Sequence, residues 1–178
     1  LNKDLNIHVH LMVKNPNKKN QNNLSIIEEY INTGVASIAL HKNSFESSND
    51  FLESIKLIRS KNCNPGIIID VDNNSLEEIW KFIKINSIKW IVIMGVPIGF
   101  GGQLFQSISL SKISFFRSRS ETENYDLDIE VDGGLNSVNI KDCYRMGANI
   151  LSGWSIIKEK KSKFVAKKYR EILNLLSS

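Results

Sequence analysis

The sequence predicts an α/β domain on a parallel sheet, built as one strand–helix unit after another. Two observations carry that expectation. Short apolar, β-branched runs alternate with segments of helical periodicity, which is the pattern of βαβ units. Runs such as Ile91-Val92-Ile93-Met94 are apolar without alternation, as strands buried on both faces are. A third observation points the same way: the segments with chemical content fall at the ends of these strands, where a parallel α/β fold gathers its site.

Taken in order, Ile7 to Val13 reads as the first strand. Asn23 is placed to cap a helix that carries Leu24, Ile27 and Ile31 on one face. Val35 to His41 is the second strand, followed by a helix with Phe51, Leu52, Ile55 and Ile58. Gly66 to Val71 is the third, bounded by Pro65 and by Asn73-Asn74, with a helix from Ser75 to Ile83 behind it. Ile88 to Val96 is the fourth, and a helix from Ser109 to Arg119 follows its glycine-rich loop. Leu127 to Asp132 is the fifth, after which Asn136 caps a helix through Cys143 to Met146. Asn149 to Ser152 forms a short sixth strand before a Lys-rich closing helix. A (β/α)8 barrel has eight such units and about 250 residues, so this chain is two units short, and its length is short to match.

Composition limits the partners. With 178 residues, 42% hydrophobic and 24% charged, the chain, residues 1–178, reads as a single domain with a real core. The net charge of +4 is modest. Much of it comes from Lys158, Lys160, Lys161, Lys163, Lys167, Lys168 and Arg170. These read as the solvated face of the last helix, whose apolar stripe is Val165, Tyr169, Ile172, Leu173 and Leu176, so neither nucleic acid nor membrane is expected as a partner. Cys63 and Cys143 are far apart and lack metal-type spacing, which fits a reduced, cytoplasmic setting. No run of about 18 apolar residues is present, and no signal peptide is visible. The first residue is Leu1, already close to the first strand, so a fragment or truncated product is expected.

Gly99-Phe100-Gly101-Gly102-Gln103 follows the fourth strand directly. Three glycines in four positions let a backbone bring its N–H groups up to a ligand, which is what a phosphate needs. Asp132 ends the fifth strand just before Gly133-Gly134, and Gly153 follows the sixth. His10 lies near the end of the first strand, with His8 on the same face. A neutral imidazole and a carboxylate at one barrel mouth suit a divalent ion such as zinc, manganese or iron. Taken singly, His10 reads equally as a hydrogen-bonded core histidine, Asp132 as a turn-capping residue, and His41 as structural or functional.

Together, His10-Leu11-Met12-Val13-Lys14-Asn15-Pro16, Met94 through Gln103, and Glu130-Val131-Asp132-Gly133-Gly134-Leu135-Asn136 resemble the ribulose-phosphate 3-epimerase family. Gly147-Ala148-Asn149 leading to Gly153 extends the resemblance over essentially the whole chain. It implies a metal-dependent (β/α)8 isomerase of carbohydrate metabolism, in the pentose phosphate pathway. Such an enzyme inverts carbon 3 of a phosphorylated ketose, interconverting ribulose 5-phosphate and xylulose 5-phosphate. Two carboxylates on opposite faces exchange the proton, and a divalent cation (zinc, iron or manganese) stabilises the enediolate. By the same resemblance His10 is a metal ligand near the substrate, and Asp132 is both a ligand and one of the two acid/base groups. Gly99, Phe100, Gly101 and Gly102 form the substrate loop, Gly133 and Gly134 a second phosphate turn, and Gly153 with Trp154 a third contact. A homo-oligomer is implied as well.

The chain also departs from the family pattern. The strand with a substrate-contacting Ser, and the strand whose His-x-Asp supplies two ligands and the other acid/base, would both precede Leu1. Pro97-Ile98 replaces Asn-Pro before the glycine loop, Trp154 replaces a Ser at the last phosphate contact, and Lys42-Asn43 replaces x-Glu after His41. His8 stands where the family often has Asp and is a candidate substitute ligand. Two alternatives follow: a degenerate, non-catalytic phosphate-binding relative or subunit, and an epimerase of a related ketose phosphate. A barrel lacking two strands exposes two sheet edges, so the isolated chain is expected to self-associate or to dissolve poorly.

Overall fold

The computed structural model describes residues 6–153, 170–174 and 176. Strands and helices alternate: β1 (His8–Leu11), α1 (Ile26–Asn32), β2 (Ser37–His41), α2 (Ser48–Ser60), β3 (Asn64–Ile69) and α3 (Leu76–Ile85). They continue as β4 (Trp90–Met94), α4 (Ile108–Thr122), β5 (Asp128–Asp132), α5 (Ile140–Arg145) and β6 (Ile150–Ser152). Sheet order equals sequence order, and the β1–β2, β2–β3 and β5–β6 pairs are parallel. This is the repeat of a (β/α)8 barrel carried over six strands, as the sequence predicts. Of the Lys-rich closing helix, residues 170–174 are helical; Lys158 to Lys168, Val165 and Tyr169 lie outside the described residues. No helix among the described residues is long and apolar enough to cross a membrane.

The chain forms two compact units, Leu1–Ile68 with Asn86–Ile91, and Ile69–Ile85 with Val92–Ser178. In the first, every residue of β2 is buried, including Ser37 and His41. Its register sets Ser37 beside His8 and Ala39 beside His10. Trp90, buried at the start of β4, lies flat over Gly66, where a Cβ would stand 2.5 Å from the indole. The His8 ring meets that indole edge-on at 5.1 Å between centroids. His8 is exposed at the start of β1, where its ring rests on Trp90, and it shares a strand face with His10.

The cap of α1 is Ser25, not Asn23. Asn23 has φ +59° and donates its N–H to the carbonyl of Asn20, so it belongs to the preceding turn. Ser25 prevails because Glu28 stands three residues on and completes a capping box. The Glu28 N–H donates to the Ser25 hydroxyl at 3.3 Å, and the Glu28 carboxylate accepts the Ser25 N–H at 2.8 Å. That backbone donor, helped by the hydroxyl, holds the Glu28 carboxyl below its ordinary value. A lowered acid stabilises the fold fully above the ordinary value of about 4.3 and loses that contribution as pH falls through the lowered one. Ser25→Ala is expected to lower unfolding free energy by about 1 kcal/mol near neutral pH, a deficit that shrinks in acid. Urea denaturation at several pH values measures both effects.

In the second unit, α4 has a mixed inner face of Ser109, Lys112, Ile113, Phe116 and Ser120. The Ser109 hydroxyl donates to the Met94 carbonyl at 2.7 Å, and the Ser120 hydroxyl to that of Tyr125 at 2.7 Å. Lys112, 1% exposed, gives its ammonium to the carbonyls of Asp70 (2.8 Å), Val71 (2.7 Å) and Asn73. Helix α3 is tied to the end of α4 by the Trp80 indole N–H, which donates to Glu123 at 2.7 Å, and by the Lys84–Glu123 ion pair. Asn136 caps a turn and not α5 itself, its side chain accepting the N–H groups of Val138 and Asn139. The helix proper begins at Ile140. Cys63 and Cys143 are free and buried. Burial, with Asp142 beside it, pushes the Cys143 thiol up to about 11, so it stays protonated and inert at neutral pH.

Candidate functional site

Gly95 and the pair Gly133-Gly134 are the structural centre of the second unit's candidate site. The Gly95 N–H donates to the carbonyl of Asp132 at 2.7 Å, and the Gly95 carbonyl accepts the N–H of Gln106 at 2.8 Å. Backbone meets backbone so closely that a Cβ on Gly95 would stand 2.2 Å from the Gly133 carbonyl oxygen. Gly134 has φ +68°, and a Cβ there would stand 2.8 Å from the backbone of Phe105. Only glycine meets both demands. Gly95→Ala is expected to cost roughly 2–3 kcal/mol of stability, since the clash is with backbone that cannot swing away. Urea denaturation of the variant reads the effect.

Between Gly95 and Gln106 the chain makes a loop that is closed at its neck and braced inside. The Gln103 side-chain amide donates to the carbonyls of Pro97 (2.7 Å) and Phe100 (2.8 Å). A Cβ at Gly99, Gly101 or Gly102 would meet nothing within 4 Å. Packing therefore does not demand these three glycines. Phe100 and Leu104 stand out into solvent, 75% and 84% exposed.

Asp132 is the last residue of β5 and half-buried. Glu130 shares its strand face, is buried, and accepts a hydrogen bond from the Ser152 hydroxyl at the end of β6. Gly153, half-buried, follows directly. Trp154 lies outside the described residues. The second unit thus brings Asp132, Gly133 and Gly134 together with the root of the Gly99–Gly102 loop.

In the first unit, His10 near the end of β1 meets His41 at the end of β2. Their Nε2 atoms are 3.1 Å apart, with ring centres 5.3 Å apart. His41 is 2% exposed, and His10 is half-buried. The sequence marked His41 as structural or functional without supplying its partner. Among the described residues no group of three or more His, Cys, Asp or Glu side chains is arranged to hold a metal ion. A catalytic zinc uses three protein ligands, so the described residues do not of themselves fit a resident divalent cation. Glu130 and Lys112 escaped sequence reasoning because a charge in a strand or helix reads as surface; only the alternation Glu130-Val131-Asp132 could have flagged the first.

The Ribulose-phosphate 3 epimerase family model matches residues 2–157. The chain belongs to the ribulose-phosphate 3-epimerase family. It is 28% identical over 151 residues to the ribulose-phosphate 3-epimerase of Escherichia coli (strain K12), covering 85% of this chain and 61% of that protein. It is 32% identical over 150 residues to the cytoplasmic isoform from Oryza sativa subsp. japonica, covering 83% and 59%. The chain thus spans about three fifths of the length of these curated relatives. A crystal structure of 3-hexulose-6-phosphate synthase superimposes with a TM-score of 0.57 at 12% identity, over 83% of this chain and 66% of that one. That likeness speaks for the barrel fold, and family membership rests on the sequence match.

Proposed function

We propose that the protein carrying this chain interconverts ribulose 5-phosphate and xylulose 5-phosphate by moving the proton on carbon 3, with Asp132 as one of the two acid/base groups. The single observation that supports this best is the arrangement at the end of β5. A carboxylate ends a parallel strand, and the next two residues are glycines whose backbone packs on Gly95 at the root of a second glycine loop. Proton abstraction beside a carbonyl needs a base held at a fixed distance from the substrate's anchor. Here the base and one anchor are consecutive residues. Gly133 and Gly134, the loop of Gly99, Phe100, Gly101 and Gly102, and Gly153 offer backbone N–H groups to the phosphate, as a concave row of amides does for anions. His10 contacts the substrate.

The protein is assayed with each pentulose 5-phosphate, with metal analysis alongside, and the carbon-3 proton is followed in deuterated water. Net epimerisation supports the proposal. Deuterium entering carbon 3 without inversion would assign one working base, Asp132, to a protein that lacks the second. Phosphate-sugar binding with neither exchange nor turnover would overturn the enzymatic reading for the non-catalytic one. Faster turnover of a hexulose 6-phosphate would reassign the substrate.

A further inference from the structure

Gln103 braces the Gly99–Gly102 loop from within, yet the chemistry proposed above gives it no part. Its side chain is half-buried, and its Nε2 lies 2.7 Å from the Pro97 carbonyl oxygen and 2.8 Å from that of Phe100. Both partners are acceptors only, so the nitrogen, with its two N–H groups, is the end of the amide that belongs there. A trans peptide sets its C=O and its N–H on opposite sides. Drawing the Phe100 carbonyl in toward Gln103 therefore turns the N–H of the same peptide, which belongs to Gly101, away from Gln103. The Pro97 carbonyl does the same for the N–H of Ile98. Among the described residues, neither of these N–H groups donates to a protein acceptor.

Gly101 is a glycine for a reason that the loop by itself does not contain. Gly99 and Gly102 have φ +145° and +83°, which side chains rarely adopt, and at Gly95, Gly133 and Gly134 a Cβ would strike a neighbour. Gly101 has no positive φ, and a Cβ there would meet nothing within 4 Å. Alanine would fit without clash or strain. What the missing side chain leaves clear is close approach to the Gly101 N–H from outside the loop. Ile98, the other residue turned outward, keeps a branched side chain beside its N–H. On the reading of this loop as a phosphate seat, we propose that Gln103 is a positioning residue: it fixes the Phe100–Gly101 peptide so that the Gly101 N–H already faces the phosphate of the ketose. A glycine-rich loop without such a brace loses its freedom only when a ligand orders it, and that cost comes off the affinity. Here the donors and acceptors of the brace all lie within the loop, so the ordering precedes binding.

The test is backbone amide NMR and affinity measurement on the whole protein, with inorganic phosphate and ribulose 5-phosphate as probes. In the parent, the Gly101 amide proton is expected to move downfield with either probe, and further than that of Ile98. Gln103→Leu removes both side-chain N–H groups without adding charge. In that variant, free of ligand, the Gly101 order parameter should fall from a rigid value of about 0.85 to below about 0.6, a local loosening that a general loss of stability does not produce. Affinity for both probes should fall about tenfold, the worth of one hydrogen bond, at an unchanged denaturation midpoint. Gly101→Ala should lose a similar factor with its order parameter kept, and it serves should leucine disturb the loop more widely. An equally ordered Gly101 in Gln103→Leu, or an unchanged phosphate affinity, would overturn the role given to Gln103. Phosphate that binds the parent and moves other loop amides but not that of Gly101 would overturn the choice of donor. Failure of both probes to bind the parent, with Gly101 rigid, would instead refute the phosphate seat itself.

Discussion

Asp132→Asn is expected to lower epimerase turnover by at least about 100-fold, the low end of what a positioned acid/base group contributes. Denaturation midpoint and phosphate affinity should remain near those of the parent. Asparagine matches aspartate in shape and keeps the backbone tie of this position to the glycine root. The Gly95 N–H donates to its carbonyl at 2.7 Å, and asparagine keeps that carbonyl. What changes is the proton-accepting oxygen, replaced by an amide of similar shape. Turnover measured in both directions, with carbon-3 exchange, is the check. Equal turnover in the variant would remove Asp132 from the chemistry and send the search for the base elsewhere.

Lys112→Met is expected to lower stability by about 3 kcal/mol, a large share of the roughly 5–15 kcal/mol that holds a domain together. Methionine keeps the apolar stem in place and removes only the ammonium. The carbonyls of Asp70, Val71 and Asn73 then lose this donor, and the Asp70 carbonyl keeps a second one, the Asn73 N–H at 3.1 Å. Burial works the other way, pushing the Lys112 ammonium below its ordinary pKa, with Asp72 and Asp70 partly restoring it. The destabilisation expected of Lys112→Met therefore comes from the acceptors left without this donor and not from the charge itself. The lowered pKa also fixes a sign. As pH rises from the lowered value toward the ordinary one of about 10.4, the folded state releases this proton before the unfolded state does, so its contribution to stability rises with pH. The difference between parent and Lys112→Met in urea denaturation, followed up that range, isolates the slope.

The alternation of strands and helices was legible because it rests on local patterns: β-branched apolar runs, and apolar residues at helical spacing. Five strands lie within those runs with an end trimmed, as at β4, where the run Ile88 to Val96 yields Trp90–Met94, whereas β3 (Asn64–Ile69) starts two residues before the expected Gly66 and takes in Pro65, the expected boundary. Asn23 misled because asparagine suits both a helix cap and a left-handed turn, and the choice depended on Glu28 as partner to Ser25. Helix α4 was hard for a different reason. Its inner face mixes Ser109, Lys112 and Ser120 with Ile113 and Phe116, since it must satisfy carbonyls as well as fill space. A lysine drawn inward by three acceptors leaves no trace in composition or period. The glycine loop and Asp132 could be picked out because glycines and a terminal carboxylate are rare enough in a strand context to stand out. The need for Gly95 could not, because it comes from the Gly133 carbonyl, 38 positions later in the chain.

The neck of the glycine loop has a consequence for how this protein could change over time. The Gly95 carbonyl and Gln106 N–H that close the loop are both main-chain groups, and the brace within it reaches from Gln103 to two more main-chain groups. Residues such as Ile98, Phe100 and Leu104 are exposed and answer to no packing partner that the sheet requires. The loop is thus a replaceable cartridge in a fixed holder. Its outward side chains are free to diverge while the main-chain holder keeps the same shape.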